Sequence, residues 1–259
     1  MEAINLKFLL GKLKGKSIEA SKQVINLLFP SVCTNCLKPI PENDGVFCEP
    51  CWSELLLFAG GYYCRRCGKD VSEYAIVDGR CGHCQSQELS FDGIARTGKY
   101  GGTLKKLLLK FKFSDKTELR KPLSFLANSA LEGSGFYDDI DYFVPVPLHW
   151  RRRLFRGFNQ SLLIARKLNH PKAKINNDLV RCRYTRPQIA LDSPAARKEN
   201  VEGAFAVRAG HGFENKNICL VDDIKTTNAT LNECSQTLKQ AGALNVYALV
   251  IAVADQQGQ

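Results

Sequence analysis

The sequence predicts an α/β fold built on a mostly parallel sheet and preceded by a small cysteine-rich module. Three observations carry that expectation. Ile218-Cys219-Leu220-Val221 is an apolar run of the kind that forms a strand buried on both faces inside a parallel sheet. It leads into two acids, a hydroxyl-rich turn and a helical pattern from Ala229 to Gln240, with Leu231, Cys234, Leu238 and Ala241 at helical spacing. Asp141 to Pro147 repeats the theme, a strand that ends in a charged exit and a helix. Finally, eight of the 11 cysteines fall in four Cys-x-x-Cys pairs within the first third of the chain.

Composition narrows the class. A chain of 259 residues, 44% hydrophobic and 24% charged, is long enough for two domains and fits a soluble globular protein. No run approaches about 18 apolar residues, so no membrane span is expected. Phe8-Leu9-Leu10 is too short an apolar core for a signal peptide, so a cytoplasmic location is expected. The net charge of +10 either attracts polyanions or serves solubility.

Residues 1–30 read as a basic segment with two helical pieces. Leu6, Leu9, Leu10 and Leu13 share one side, and Ile18 to Leu28 follows before Pro30 closes it. Such a helix lies on a membrane surface or packs against protein. Residues 31–90 hold Cys33/Cys36, Cys48/Cys51, Cys64/Cys67 and Cys81/Cys84. Gaps of 11 residues between the first two pairs and 13 between the last two suit compact four-thiolate zinc ribbons. Sequential pairing gives two structural Zn²⁺ ions. Interleaved ligation and a disulfide framework are the rival arrangements.

Residues 91–259 form the expected α/β domain. Phe91 to Tyr100 reads as a short strand pair turning at Asp92-Gly93 or Gly98. Leu104 to Phe113 interleaves Lys105, Lys106, Lys110 and Lys112 with apolar residues, and a helix follows from about Leu119 to Leu131. After Pro147 come Arg151-Arg152-Arg153, then Arg156 and a helix from Ser161 to Leu168. Guanidinium forks at a strand exit suit phosphate. Leu179 to Arg183 and Gly203 to Val207 read as strands, and Asn245 to Ala254 is the final apolar strand. The polar stretch between Thr185 and Val201 reads as a mobile or functional loop.

The strand, acid pair and loop at 218–230 make an anion site with selectivity. Free N–H groups and the helix dipole suit a phosphate, hydroxyls of Thr226, Thr227 and Thr230 add donors, and carboxylates favour sugar hydroxyls or a metal ion. The stretch resembles the phosphoribosyl-pyrophosphate (PRPP) motif of type I phosphoribosyltransferases. That resemblance implies that Asp222 and Asp223 contact ribose hydroxyls and act catalytically. It also implies that Lys225, Thr226, Thr227, Asn228, Ala229 and Thr230 form the 5′-phosphate loop, that His149, Arg151, Arg152 and Arg153 grip pyrophosphate, and that Mg²⁺ accompanies PRPP. Asn228 replaces the usual glycine, and a positive φ is expected there.

The cysteine pairs, Val144-Pro145-Val146-Pro147-Leu148-His149, Arg156-Gly157-Phe158-Asn159-Gln160, Gln188, Arg197, Asn200 and Gly203-Ala204-Phe205, together with the PRPP motif, resemble the ComF family. The resemblance implies a double zinc ribbon on a type I phosphoribosyltransferase-like fold, with Gln188, Arg197 and Asn200 in a lid. It implies a role in natural competence, handling transforming single-stranded DNA, with a helicase and recombination mediators as partners. The expected DNA surface is Lys105, Lys106, Lys110, Lys112 and Arg156, interleaved with Phe111, Phe113, Trp150 and Phe155; Phe111 and Phe113 fit a core better than a surface. A catalytic transferase acting on a nitrogen nucleophile, and a zinc-ribbon scaffold with a vestigial PRPP site, are the competing functions.

Overall fold

The computed structural model describes residues 32–40, 46–113, 117–186, 191 and 193–254. The expected basic helix of residues 1–30 and the lid residue Gln188 lie outside them. The chain divides into two compact units, Met1–Ser53 and Glu54–Gln259. The division falls between the first and second pairs of Cys-x-x-Cys motifs, so the second cysteine group belongs to the same unit as the main sheet.

That sheet has five strands in the order β3 (Gly93–Lys99), β9 (Asn245–Val253), β8 (Asn217–Lys225), β4 (Tyr142–Pro145) and β5 (Lys174–Ile175), all parallel. Its helices are α3 (Gly102–Phe113), α4 (Arg120–Glu132), α6 (Gln160–Ala165) and α8 (Ala229–Gln240). Central strands of such a sheet need apolar residues on both faces. Accordingly Ile218 and Leu220 of β8 pack in one cluster with Leu231, Cys234 and Leu238 of α8, while Cys219 and Val221 are buried on the opposite face. Side-chain alternation therefore directs Asp222 and Asp223 to opposite sides of the strand. A separate antiparallel pair, β6 (Leu179–Arg181) and β7 (Phe205–Val207), stands apart from this sheet.

Three element readings are corrected. Phe91 to Tyr100 is one edge strand, β3, rather than a strand pair. Gly98 is there for close approach: a Cβ on it would stand 1.9 Å from the Phe58 carbonyl oxygen, at the end of helix α1 (Glu49–Phe58). The strand at the acidic motif continues through Asp222 and Asp223 to Lys225, because its pairing with β9 runs on to Val253. The long polar segment contains an ordered helix, α7 (Pro194–Val201), capped by Ser193, whose hydroxyl accepts from Ala196 N–H at 3.1 Å. Sequence periodicity missed it because only Val201 of that helix is buried.

The second cysteine group is bound tightly to β3. Arg96, 2% exposed, forms an ion pair with Asp70 and lies 4.7 Å from the Tyr63 ring centroid. Arg66 donates to the carbonyls of Leu89 and Phe91. A buried guanidinium without its carboxylate is strongly destabilising, so this pairing explains why one compact unit holds both ribbon and sheet.

Candidate functional site

Asp222 and Asp223 sit near the C-terminal end of β8, where ligands bind in open parallel sheets. Asp222 Oδ1 accepts from Ser161 Oγ at 3.1 Å and from the Asp223 N–H at 2.9 Å. Asp223 Oδ1 is 3.0 Å from Lys112 Nζ. Lys112 thus turns toward the acids rather than along the expected DNA face. Burial, and next the charge of Asp223, push the Asp222 carboxyl up to about 7. Ser161 lies in the first turn of α6, started by Asn159, whose side chain accepts from Ser161 N–H. Arg181 of β6 in turn feels the negative charge of Asp222. No sequence motif marked Ser161 or Arg181.

Beyond Lys225 the expected phosphate loop narrows to Thr226, Thr227 and Asn228, because Lys225 ends β8 while Ala229 and Thr230 open α8. Asn228 has φ −78° and ψ −8°, so the expected positive φ is not present. The residue is in the ordinary right-handed region, and glycine's freedom is not required at that position. A cavity of about 590 Å³ is lined by Thr226, Thr227 and Asn228 of this loop, Gln87 and His83 of the second cysteine group, and Lys198 of α7. Asp222 and Asp223 do not line it.

The eight cysteines gather sequentially: Cys33, Cys36, Cys48 and Cys51 in one group, Cys64, Cys67, Cys81 and Cys84 in the other. The interleaved arrangement is not the one observed, and all eight thiols are free of disulfides. A tetrahedral zinc with bonds of about 2.3 Å places its sulfurs about 3.8 Å apart. The Sγ separations are 3.6 Å for Cys36–Cys48, 3.6 Å for Cys67–Cys81, 3.7 Å for Cys64–Cys84 and 3.8 Å for Cys81–Cys84. Both groups therefore fit one structural Zn²⁺ each, with no coordination position left open. The two knuckles share a backbone plan. Leu37 N–H donates to Cys33 O and Gly68 N–H to Cys64 O, with φ of 63° and 80° respectively. Metal analysis of carefully reduced protein should find two zinc ions per chain; one or none would reject this assignment. Because thiolates are the ligands, loading should release protons. Burial raises Cys84 to about 11, so that release requires the cation's charge.

A double zinc ribbon family model matches residues 24–85. Competence protein F of Haemophilus influenzae is 29% identical over 226 residues, covering 85% of this chain and 96% of the relative. Competence protein ComFC of Bacillus subtilis is 28% identical over 217 residues, covering 80% of this chain and 81% of that protein. The chain is similar to these two competence proteins over most of its length. A glutamine PRPP amidotransferase structure from B. subtilis aligns over 55% of this chain and 30% of its own, at 15% identity and a TM-score of 0.36.

The basic stretch after Pro147 folds differently from the expected loop. Arg151 to Arg153 lie on a helix, α5 (Trp150–Arg156), because nothing in 150–156 breaks it until Gly157 adopts φ 74°. His149 is buried and caps that helix, its Nδ1 accepting from Arg151 N–H at 3.3 Å. Burial, then neighbouring guanidinium groups, lower its pKa, which keeps the acceptor nitrogen unprotonated. Arg151 and Arg152 both approach Tyr184, Arg152 at 5.8 Å from its ring centroid. Arg152 donates to Thr185 O at 2.7 Å, Arg151 lies 5.3 Å from the Trp150 ring centroid and 5.6 Å from that of Tyr184, and Arg153 is exposed.

Two of the expected lid residues, Arg197 and Asn200, act as braces. Arg197 donates twice to Leu191 O, and Asn200 exchanges hydrogen bonds with the Arg186 backbone at 2.9 and 3.0 Å. Of the expected DNA surface, Lys105 and Lys106 are exposed, and Arg156 stacks 5.4 Å from the Phe113 centroid. Phe111 is fully buried, whereas Phe113, Trp150 and Phe155 are 71%, 59% and 91% exposed, which separates the core aromatic from the surface ones. None of the described helices is long and apolar enough to cross a membrane.

Proposed function

We propose that this protein binds PRPP with Mg²⁺ and handles single-stranded DNA during competence, in the cytoplasm. The observation that carries the reading is the acid pair of β8 running directly into Thr226, Thr227 and the N-terminus of α8. Carboxylates there suit ribose hydroxyls, and N–H groups at the helix start suit the 5′-phosphate. Among the described residues, only the two cysteine groups bring three or more His, Cys, Asp or Glu side chains within reach of one ion. The acids alone therefore supply too few ligands for Mg²⁺, which would take its remaining oxygens from PRPP and water. Calorimetry with Mg²⁺ and PRPP on the intact protein tests the reading. Saturable binding is expected, and no binding at millimolar PRPP would overturn it.

The catalytic reading has one observation in its favour: a raised Asp222 carboxyl beside a charged partner is typical of reactive sites. In that reading Asp222 and Asp223 hold the ribose while positive charge builds at its C1 carbon, and bound Mg²⁺ stabilises the leaving pyrophosphate. Pyrophosphate release from PRPP in the presence of a base, an amine or DNA decides it. No release with any acceptor leaves a binding protein.

A further inference from the structure

Asn228 stands where the resembling motif has glycine, and its side chain has a defined task. Its Nδ2 donates to Gln87 Oε1 at 2.6 Å. Gln87 follows the last zinc-ligand pair. Its N–H donates to Cys84 O at 3.3 Å, and its Nε2 lies 3.2 Å from His83 Nε2. One turn into α8, Asn232 accepts from Ser90 N–H at 3.0 Å and donates to Glu88 O at 3.1 Å. Three side-chain hydrogen bonds thus join residues 87–90 to the loop and first turn of α8. Asn228 Oδ1 is buried without a partner and belongs to the wall of the 590 Å³ cavity.

We propose that Gln87 and Asn228 are positioning residues that fasten the phosphate loop to the second cysteine ribbon and so set the loop's affinity for a ribose 5-phosphate group. The proposal rests on the PRPP reading of that loop. A three-residue loop whose N–H groups must converge on an oxyanion loses conformational freedom on binding, and a tie made beforehand lowers that cost. Glycine cannot make this bond. The substitution converts a contact between ribbon and loop into a directed one.

The test compares Gln87→Ala, Asn228→Gly, the double variant and Gln87→Glu with the intact protein. Gln87→Glu keeps an acceptor oxygen for Asn228 Nδ2. Each single loss should weaken Mg·PRPP binding about fivefold, the equivalent of one net hydrogen bond. The double variant should be no weaker than Asn228→Gly alone, and Gln87→Glu should bind as the parent does. Amide hydrogen exchange at residues 226–230 of the ligand-free protein should quicken in Gln87→Ala and not in Gln87→Glu. Unchanged exchange in Gln87→Ala, or additive losses in the double variant, would overturn the proposal. If the parent binds no PRPP, the site reading fails, while the exchange measurement still decides whether the tie orders the loop.

Discussion

Replacing Asp222 and Asp223 together by asparagine should lower Mg·PRPP affinity by at least about a hundredfold. A hydrogen bond to a charged group contributes about 1.5–3 kcal/mol, so losing two removes two decades or more. The two positions should differ when changed singly. Asp223 is paired with Lys112 at 3.0 Å, so Asp223→Asn also leaves an ammonium without its carboxylate. Asp222 is held by Ser161 and its own neighbour's N–H. Calorimetry on the double variant checks the prediction, and parental affinity would remove the acids from the binding site.

Asp222 also gives this site a pH signature. Its carboxyl is raised to about 7 in the folded chain, against an ordinary value near 4. Binding that needs the carboxylate should weaken as pH falls from 8 to 6. Stability moves the other way. Between about pH 4 and 7 the folded state holds a proton that the unfolded state has released, so folding stability falls as pH rises through that window. Asp222→Asn should therefore raise the unfolding midpoint of the ligand-free protein at pH 8, with the gain vanishing near pH 4. A lower midpoint at pH 8 would contradict the burial argument.

A second large effect is expected on single-stranded DNA. Helices α3 and α5 meet where Arg156 faces Phe113, and Trp150 and Phe155 stand exposed on α5. Bases stack on such rings for about 1–3 kcal/mol each. Trp150→Ala with Phe155→Ala should then weaken binding by about thirtyfold or more, whatever the DNA sequence. With about four phosphates neutralised, affinity should also drop about fiftyfold between 50 and 200 mM salt. Reversing Lys105, Lys106 and Arg156 to glutamate should flatten that dependence. Lys112 is left out of the set because its partner is Asp223. Parental binding by the aromatic double variant, measured by anisotropy, would move the DNA surface off α5.

Much of this protein was legible in its sequence for reasons of local chemistry. Four apolar residues before two acids and an amphipathic stretch could only be satisfied by a buried strand and a covering helix, and α8 spans Ala229–Gln240 as its spacing required. Cys-x-x-Cys spacing brought each pair's sulfurs together without help from the rest of the chain. The tertiary structure decided what depends on distant neighbours. Lys112 is one of four similar lysines in its helix, and only the tertiary fold brought it to Asp223. Arg151 to Arg153 looked like part of a loop, yet they lie on a helix with Arg151 and Arg152 both near Tyr184, because a local run of charge carries no information about backbone geometry. Asn228 looked like a strained substitute for glycine. Its conformation is ordinary, and its partner, Gln87, lies 141 positions away in sequence. Local pattern fixes which elements form, whereas contacts across such separations fix which side chains meet.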